Sequence, residues 1–262
     1  MVDRESYGPW AVIAGGSEGI GAAFADQLAR AGINLVLIAR KPEPLHDTAD
    51  RARRHGVEVR TVEADLLDPG TFDAIRDASD DVEVGLFIFN AGANTYGSEF
   101  VEGDLAELQR VIDLNITSKL PLVQHFGARL KKRGKGGLML VGSVSGYLGH
   151  GHISVYAATK AFGRIFTEGL WLELKPQGVH VLHLVLGVTR TPAMERAGLR
   201  LDLPGLNVAA PEDVAKEGLD HLADGPVWVA GGNMEAVERH SGVARDQIVQ
   251  GNAERLMQLL GR

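Results

Sequence analysis

The sequence predicts an α/β protein, a single-domain doubly wound fold with a central parallel sheet of about seven strands flanked by helices. Three observations carry this expectation. Short apolar runs alternate with amphipathic stretches along all 262 residues. The runs lack the polar alternation of half-exposed strands, so they suit strands buried on both faces. The first run breaks into glycines and then into a helical pattern, as in a nucleotide-binding βα turn.

In chain order, Trp10 to Ala14 is the first apolar run, and Ile20 to Ala31 reads as a helix that Gly32 stops. Asn34 to Ala39 is a second strand, Pro42 to His55 a charged helix and Glu58 to Val62 a third strand. Asp68 opens another helix, with Pro69 at its first position. Leu86 to Asn90 is a strand, Leu105 to Lys132 is largely helical despite Pro121, and Leu138 to Gly142 is a strand. Ser154 to Lys175 is a long helix ending at Pro176. Val179 to Leu186 and Val227 to Ala230 are buried strands, with a helix from Glu212 to Leu222 between them. No repeat or low-complexity linker divides the chain, so residues 1–262 read as one domain. Thr191 to Ala210, rich in Leu, Gly and Pro with poor periodicity, is an ordinary loop or a lid over a substrate pocket.

A hydrophobic fraction of 45% supports a substantial core, and 23% charged residues argue against wholesale disorder. A net charge of −7 argues against a nucleic-acid partner. Cysteine is absent, which excludes disulfides and thiolate metal sites. No apolar run reaches the roughly 18 residues of a membrane span. The first residues lack the apolar core of a signal peptide, so a soluble, cytoplasmic protein is expected.

Gly15, Gly19 and Gly21 follow the first strand with the spacing Gly-x-x-x-Gly-x-Gly. Glycines there permit a tight turn and let the backbone approach a pyrophosphate, while the helix N-terminus offers unpaired N–H groups. The second strand ends Ala39-Arg40-Lys41, where an enzyme using NAD usually places an acid for the ribose hydroxyls. Arg40 and Lys41 either cap a strand in solvent or bind a 2′-phosphate; beside the glycine turn we expect phosphate binding, and so NADP(H).

The segment Ala14 to Gly21, AGGSEGIG, resembles the glycine motif of short-chain dehydrogenases/reductases. Other motifs follow in family order. They are Ala64-Asp65-Leu66, Asn90-Ala91-Gly92, Leu114-Asn115, Ser143 thirteen positions before Tyr156, and Tyr156-x-x-x-Lys160. The resemblance spans about residues 8 to 232 and implies a Rossmann fold. It also implies cofactor contacts from Gly15, Ser17, Glu18, Gly19, Ile20 and Gly21, from Arg40 and Lys41, and from Asp65 (facing the adenine amino group) and Leu66. Asn90, Ala91, Gly92, Tyr156, Lys160, Gly187, Thr189 and Thr191 complete the set. One departure stands out: Leu186 replaces the family's Pro before Gly187, and Thr189 replaces an apolar residue. A finer resemblance, in Tyr7-Gly8-x-Trp10, the segment 186–192 and the tail Gly225 to Gly232, is to a bacterial branch that includes NADP-dependent 7β-hydroxysteroid dehydrogenases.

The resemblance implies four catalytic residues, Asn115, Ser143, Tyr156 and Lys160. Tyr156 exchanges the proton with the substrate oxygen, and Lys160, one turn later on the same face, is expected, with the charge of oxidised nicotinamide, to lower the pKa of Tyr156 and to bind the nicotinamide ribose. Ser143 is expected to steady the substrate oxygen, and Asn115 to hold a water leading from Lys160 to solvent. Asn94, Thr95, His150, His152, Met194 and Leu199 are candidate substrate contacts, and Tyr96, Leu201 and Leu203 could add to the pocket. His150 and His152 lack further ligands at useful spacing, so no metal is expected. The expected reaction interconverts a secondary alcohol and a ketone, the substrate being bulky and hydrophobic, with a hydroxysteroid the leading guess. Alternatives are a 3-oxoacyl-thioester reductase, a reductase of other alicyclic or aromatic ketones, or a non-catalytic NADP(H)-binding sensor or scaffold. Family analogy implies a homotetramer or homodimer built through the two long helices after the fourth and fifth strands.

Overall fold

The computed structural model describes residues 2–196, 198, 200–202, 206–244 and 246–248. Seven strands form one parallel sheet in the order β3-β2-β1-β4-β5-β6-β9. The strands are β1 (Trp10–Ala14), β2 (Asn34–Ala39), β3 (Val59–Glu63), β4 (Val84–Phe89), β5 (Gly136–Val141), β6 (Val179–Val185) and β9 (Val227–Val229). A short ladder pairs β7 (Val188–Thr189) with β8 (Val208–Ala209). The helices are α1 (Arg4–Tyr7), α2 (Gly19–Arg30), α3 (Pro42–Arg53), α4 (Thr71–Ser79), α5 (Leu105–Ile112), α6 (Lys119–Arg133), α7 (Ser154–Leu174), α8 (Pro192–Arg196), α9 (Pro211–Asp220) and α10 (Met234–His240).

The sheet is covered on both faces, which explains its unalternating strands. Along β1, Ala11 and Ile13 face Phe24 and Leu28 of α2 and Val214 of α9, whereas Val12 and Ala14 face Ile75 of α4 and Phe126 of α6. Burying a side chain such as Phe24 or Phe126 contributes roughly 1.5–3 kcal/mol. From β1 the chain winds outwards through β2 and β3, then returns to place β4 on the other side of β1. The strand order therefore reverses between β1 and β4, and their carboxyl ends leave a crevice where such sheets bind ligands.

Several expected boundaries shift for physical reasons. The helix expected to open at Asp68 begins at Thr71, because 65–71 folds first into turns in which Asp68 N–H donates to Asp65 O and Thr71 N–H to Asp68 O. The helix expected over 105–132 is broken by a wide π turn, Asp113–Thr117, and Pro121 then falls in the first turn of α6, where its missing N–H is tolerated. The weakly periodic stretch 191–210 contains α8 and β8. The β7–β8 ladder, with Arg190 N–H donating to Ala209 O at 3.0 Å, pins its two ends together.

Candidate active site

A cleft of about 330 Å³ opens at the β1/β4 crevice. The glycine turn forms one wall. Gly15, at φ +85°, stands so close to the β4 exit that a Cβ there would lie 2.8 Å from Ala91 N. Asn90 ties the two loops together, its Nδ2 donating to Gly15 O at 2.8 Å. Glu18 precedes α2 without capping it through its side chain, so the first N–H groups of the helix keep their positive end towards the cleft.

The cleft is lined by Gly15, Ser17, Glu18, Gly19, Ile20, Arg40, Lys41, Asp65, Leu66, Asn90, Ala91, Gly92, Ser143, Tyr156, Lys160, Gly187, Thr189 and Thr191. Of the expected cofactor residues, Gly21 alone does not line it. A Cβ on Gly21 would lie 1.9 Å from Gly15 O, so Gly21 lets the helix pack beneath the turn. Arg40 and Lys41 stand at one end. Arg40 Nη1 lies 3.5 Å from Asp65 Oδ2, and Asp65 Oδ1 accepts from Leu67 N–H at 3.0 Å, so this carboxylate is already engaged by its own loop and by Arg40.

At the other end stand Ser143, Tyr156 and Lys160. Ser143 leaves β5 and caps the following turn, its Oγ accepting from Ser145 N–H at 3.1 Å. Tyr156 and Lys160 share a face of α7, with Lys160 Nζ 5.5 Å from the Tyr156 ring centroid. Burial pushes the Tyr156 hydroxyl up to about 12, against a smaller lowering by a hydrogen bond from Ser143. The protein's own groups thus favour Tyr156 as a neutral phenol. Burial likewise weakens the Lys160 ammonium, lowering it to about 8.

Asn115 lies behind them, 1% exposed. Its Nδ2 donates to Val111 O and to Ala93 O, both at 2.9 Å. Taking Val111 O, four residues back, diverts the ordinary helical acceptor and accompanies the π turn. Its Oδ1 is buried with no partner among the described residues. A Cβ on Gly92, at φ +138°, would lie 2.6 Å from that oxygen and 3.2 Å from Lys160 Nζ, so both atoms face the space this glycine leaves open.

The other expected contacts divide. Met194 lines the cleft, half-buried on α8. Asn94, Thr95, His150 and His152 do not line it; Asn94 and Thr95 are exposed, and His152, also exposed, uses its carbonyl to accept from Ser98 N–H at 2.9 Å. Leu199 and Leu203 lie outside the described residues. The Thr191 hydroxyl accepts from Met194 N–H at 3.3 Å and keeps its own proton to donate. Among the described residues no cluster of side chains could hold a metal ion. No described helix is long and apolar enough to cross a membrane.

Among the cleft residues that escaped the sequence, two sit on α8. Arg196 joins Glu18 through both guanidinium nitrogens, one bond measuring 3.0 Å. It lies in the stretch without clear periodicity, where nothing marked its direction. Ala193 lines the cleft beside it as a small apolar residue without a motif.

The model of the short chain dehydrogenase family matches residues 9–200. The chain is 30% identical over 250 residues to the 7beta-hydroxysteroid dehydrogenase of Clostridium sardiniense, covering 94% of this chain and 95% of that one. A solved 7beta-hydroxysteroid dehydrogenase structure superposes with a TM-score of 0.86 at 27% identity, over 96% of this chain and 99% of the other. A short-chain dehydrogenase from Sphingobium yanoikuyae in complex with NADPH gives 0.78 at 32% identity, over 95% of each chain. The chain belongs to the short-chain dehydrogenase family. It is an oxidoreductase fold of that type, and the family's cofactor is a nicotinamide dinucleotide.

Proposed function

We propose that the protein is an NADP(H)-dependent oxidoreductase that interconverts a secondary alcohol and a ketone, acting on a bulky hydrophobic substrate of the hydroxysteroid class. The observation that carries this reading is that one cleft holds Arg40 and Lys41 at one end and Ser143, Tyr156 and Lys160 at the other. The chain's residues fit a dinucleotide: the glycine turn packs so closely that a Cβ at Gly15 or Gly19 would meet Ala91 or Thr191, the α2 N-terminus is uncapped by a side chain, and an orphaned Asn115 Oδ1 faces Lys160. When bound, the dinucleotide supplies or accepts the hydride.

Arg40 and Lys41 offer charge-assisted hydrogen bonds to a 2′-phosphate, for which an acid would be repulsive. Ser143 Oγ donates to the substrate oxygen and favours the charge that develops on it. Tyr156, neutral under ordinary conditions, gives its phenolic proton to that oxygen in reduction and must recover it in oxidation. Lys160 holds the ribose side of the site and is the next proton carrier. Asn115 Oδ1 positions a water between Lys160 and solvent. Met194, on α8 at the edge of the cleft, offers an adaptable apolar contact to a bulky ring system. Leu120 of α6 with Ile165 and Leu172 of α7, all exposed, support assembly into a homotetramer or homodimer.

The test is turnover-linked loss of NADPH absorbance across ketones of increasing size. Steroid-sized ketones should be reduced with higher kcat/KM than small cyclic ones, and Met194→Ser should narrow that gap. Equal rates on all sizes would count against the substrate class, and absence of turnover would favour a binding protein.

A further inference from the structure

β6 delivers the chain to the catalytic end of the cleft through Leu186, Gly187 and β7, and Leu186, Gly187 and Thr189 line it. Leu186 O accepts from Val144 N–H at 2.8 Å, which ties this exit to the turn that begins at Ser143. No proline stands between Val185 and Thr191, and a glycine restricts its own backbone least of all residues. Covalent structure therefore does little to fix the exit at Gly187. A side chain from much later in the chain, Asn233, packs directly on it.

Asn233 stands immediately before α10, where an asparagine commonly caps the helix with its side chain. It makes no such bond. Its carboxamide turns back instead, Nδ2 donating to Ala230 O at 2.7 Å and to Gly231 O at 3.1 Å. The amide then lies flat on Gly187: a Cβ there would stand 2.3 Å from Asn233 Oδ1, 2.5 Å from Cγ and 2.5 Å from Nδ2. Near-equal distances to three atoms of one plane describe a face-on contact, not the touch of a side-chain tip. Ala230 is itself fixed to the sheet, its N–H donating to Val185 O at 3.0 Å.

These contacts converge on Gly231. Its φ of +66° lets the chain turn back after β9. Glu217 of α9 holds the turn, Oε2 accepting from Gly231 N–H at 2.9 Å while Oε1 accepts from Trp228 Nε1 at 2.8 Å. Gly231 O uses both lone pairs, accepting from Asn233 Nδ2 and, at 2.6 Å, from Asn207 Nδ2. Asn207 directly precedes β8, and a Cβ on Gly231 would lie 3.1 Å from Ala209 Cβ. The loop before β7 and the root of β8 are thus referred to one carbonyl.

We propose that Asn233 is a positioning residue for the catalytic end of the cleft: its carboxamide, anchored on Ala230 O and Gly231 O, presses on Gly187 and fixes the loop that faces the nicotinamide half of the dinucleotide. The inference rests on the proposed NADP(H) reading. Asn233 is not among the residues that line the cleft, so it acts through Gly187. Its removal frees the loop at the nicotinamide end and leaves the adenine end, held by the glycine turn and Arg40, as it was.

The experiment measures direct binding of NADPH and of adenosine 2′,5′-bisphosphate, which carries the adenine end without the nicotinamide. The proteins compared are wild type, Asn233→Ala, Gly187→Ala and the double variant. Asn233→Ala should raise the Kd for NADPH about three- to tenfold, the worth of one ordinary hydrogen bond, and leave that for the bisphosphate unchanged. Gly187→Ala should act alike in the wild-type background, where its methyl displaces the amide, and add little once Asn233→Ala has vacated that space. Amide exchange at Val188 and Thr189, measured without ligand, should quicken in Asn233→Ala. Equal losses for both ligands would reveal a general structural role, and additive losses in the double variant would deny the contact. Either result, or unchanged exchange, overturns the proposal. Failure of wild type to bind NADPH would overturn the cofactor reading instead, and is distinguishable because the exchange measurement needs no ligand.

Discussion

Arg196 of α8 and Glu18 of the glycine turn close a two-point ion pair on the rim of the cleft, 178 residues apart in the chain. The guanidinium lowers the Glu18 carboxyl, chiefly through the hydrogen bonds; burial opposes this, and the Arg196 charge adds a smaller lowering. The contact is therefore present above the ordinary carboxylate range and is lost as pH falls through the lowered value.

Removing the pair should loosen the rim more than it destabilises the fold, because exposed ion pairs contribute little to global stability. Arg196→Met is expected to leave Tm nearly unchanged while raising the KM for NADPH severalfold and speeding amide exchange in α8. An unchanged KM with unchanged exchange would show that the pair does not hold the cleft's edge.

Cofactor choice should follow Arg40. Arg40→Asp places a carboxylate beside Asp65, with which Arg40 now pairs at 3.5 Å, and opposes a 2′-phosphate at the same point. The ratio of kcat/KM for NADPH over NADH should fall by about two orders of magnitude, the loss of a charge-assisted contact plus a new repulsion. Comparing both cofactors on one ketone checks this; an unaltered ratio would place the phosphate elsewhere.

Gly21→Ala tests the turn as a packing device. Its Cβ would lie 1.9 Å from Gly15 O, an approach that backbone atoms cannot yield to cheaply. Overpacking of this kind costs roughly 1–3 kcal/mol, and the displaced turn should also weaken dinucleotide binding. Chemical denaturation and cofactor titration read the two effects. Wild-type values in both would mean that helix and turn can separate without cost.

Much of this was legible in the sequence because period and spacing report directly on backbone geometry. Unalternating strands announced a doubly covered sheet, and the distances Ser143–Tyr156–Lys160 along the chain placed three polar side chains at one end of the cleft. What could not be read were consequences of burial. Burial raises Tyr156 and lowers Lys160, a desolvation that spacing along the chain does not report. The π turn depends on an Asn115 side chain competing for Val111 O, which no local propensity encodes. Asn94, Thr95, His150 and His152, expected as substrate contacts from the loops after β4 and β5, lie outside the lining of this cleft, because nearness in sequence to a catalytic residue does not fix which way a loop faces.

The central claim is that Tyr156 exchanges the proton with the substrate oxygen in a cleft that also holds the dinucleotide. Tyr156→Phe keeps the ring and removes only the hydroxyl. Measured side by side for kcat of NADPH-dependent ketone reduction and for NADPH affinity, this variant should lose about two to four orders of magnitude in kcat while binding NADPH essentially as wild type does. Near-normal turnover in Tyr156→Phe would contradict the account.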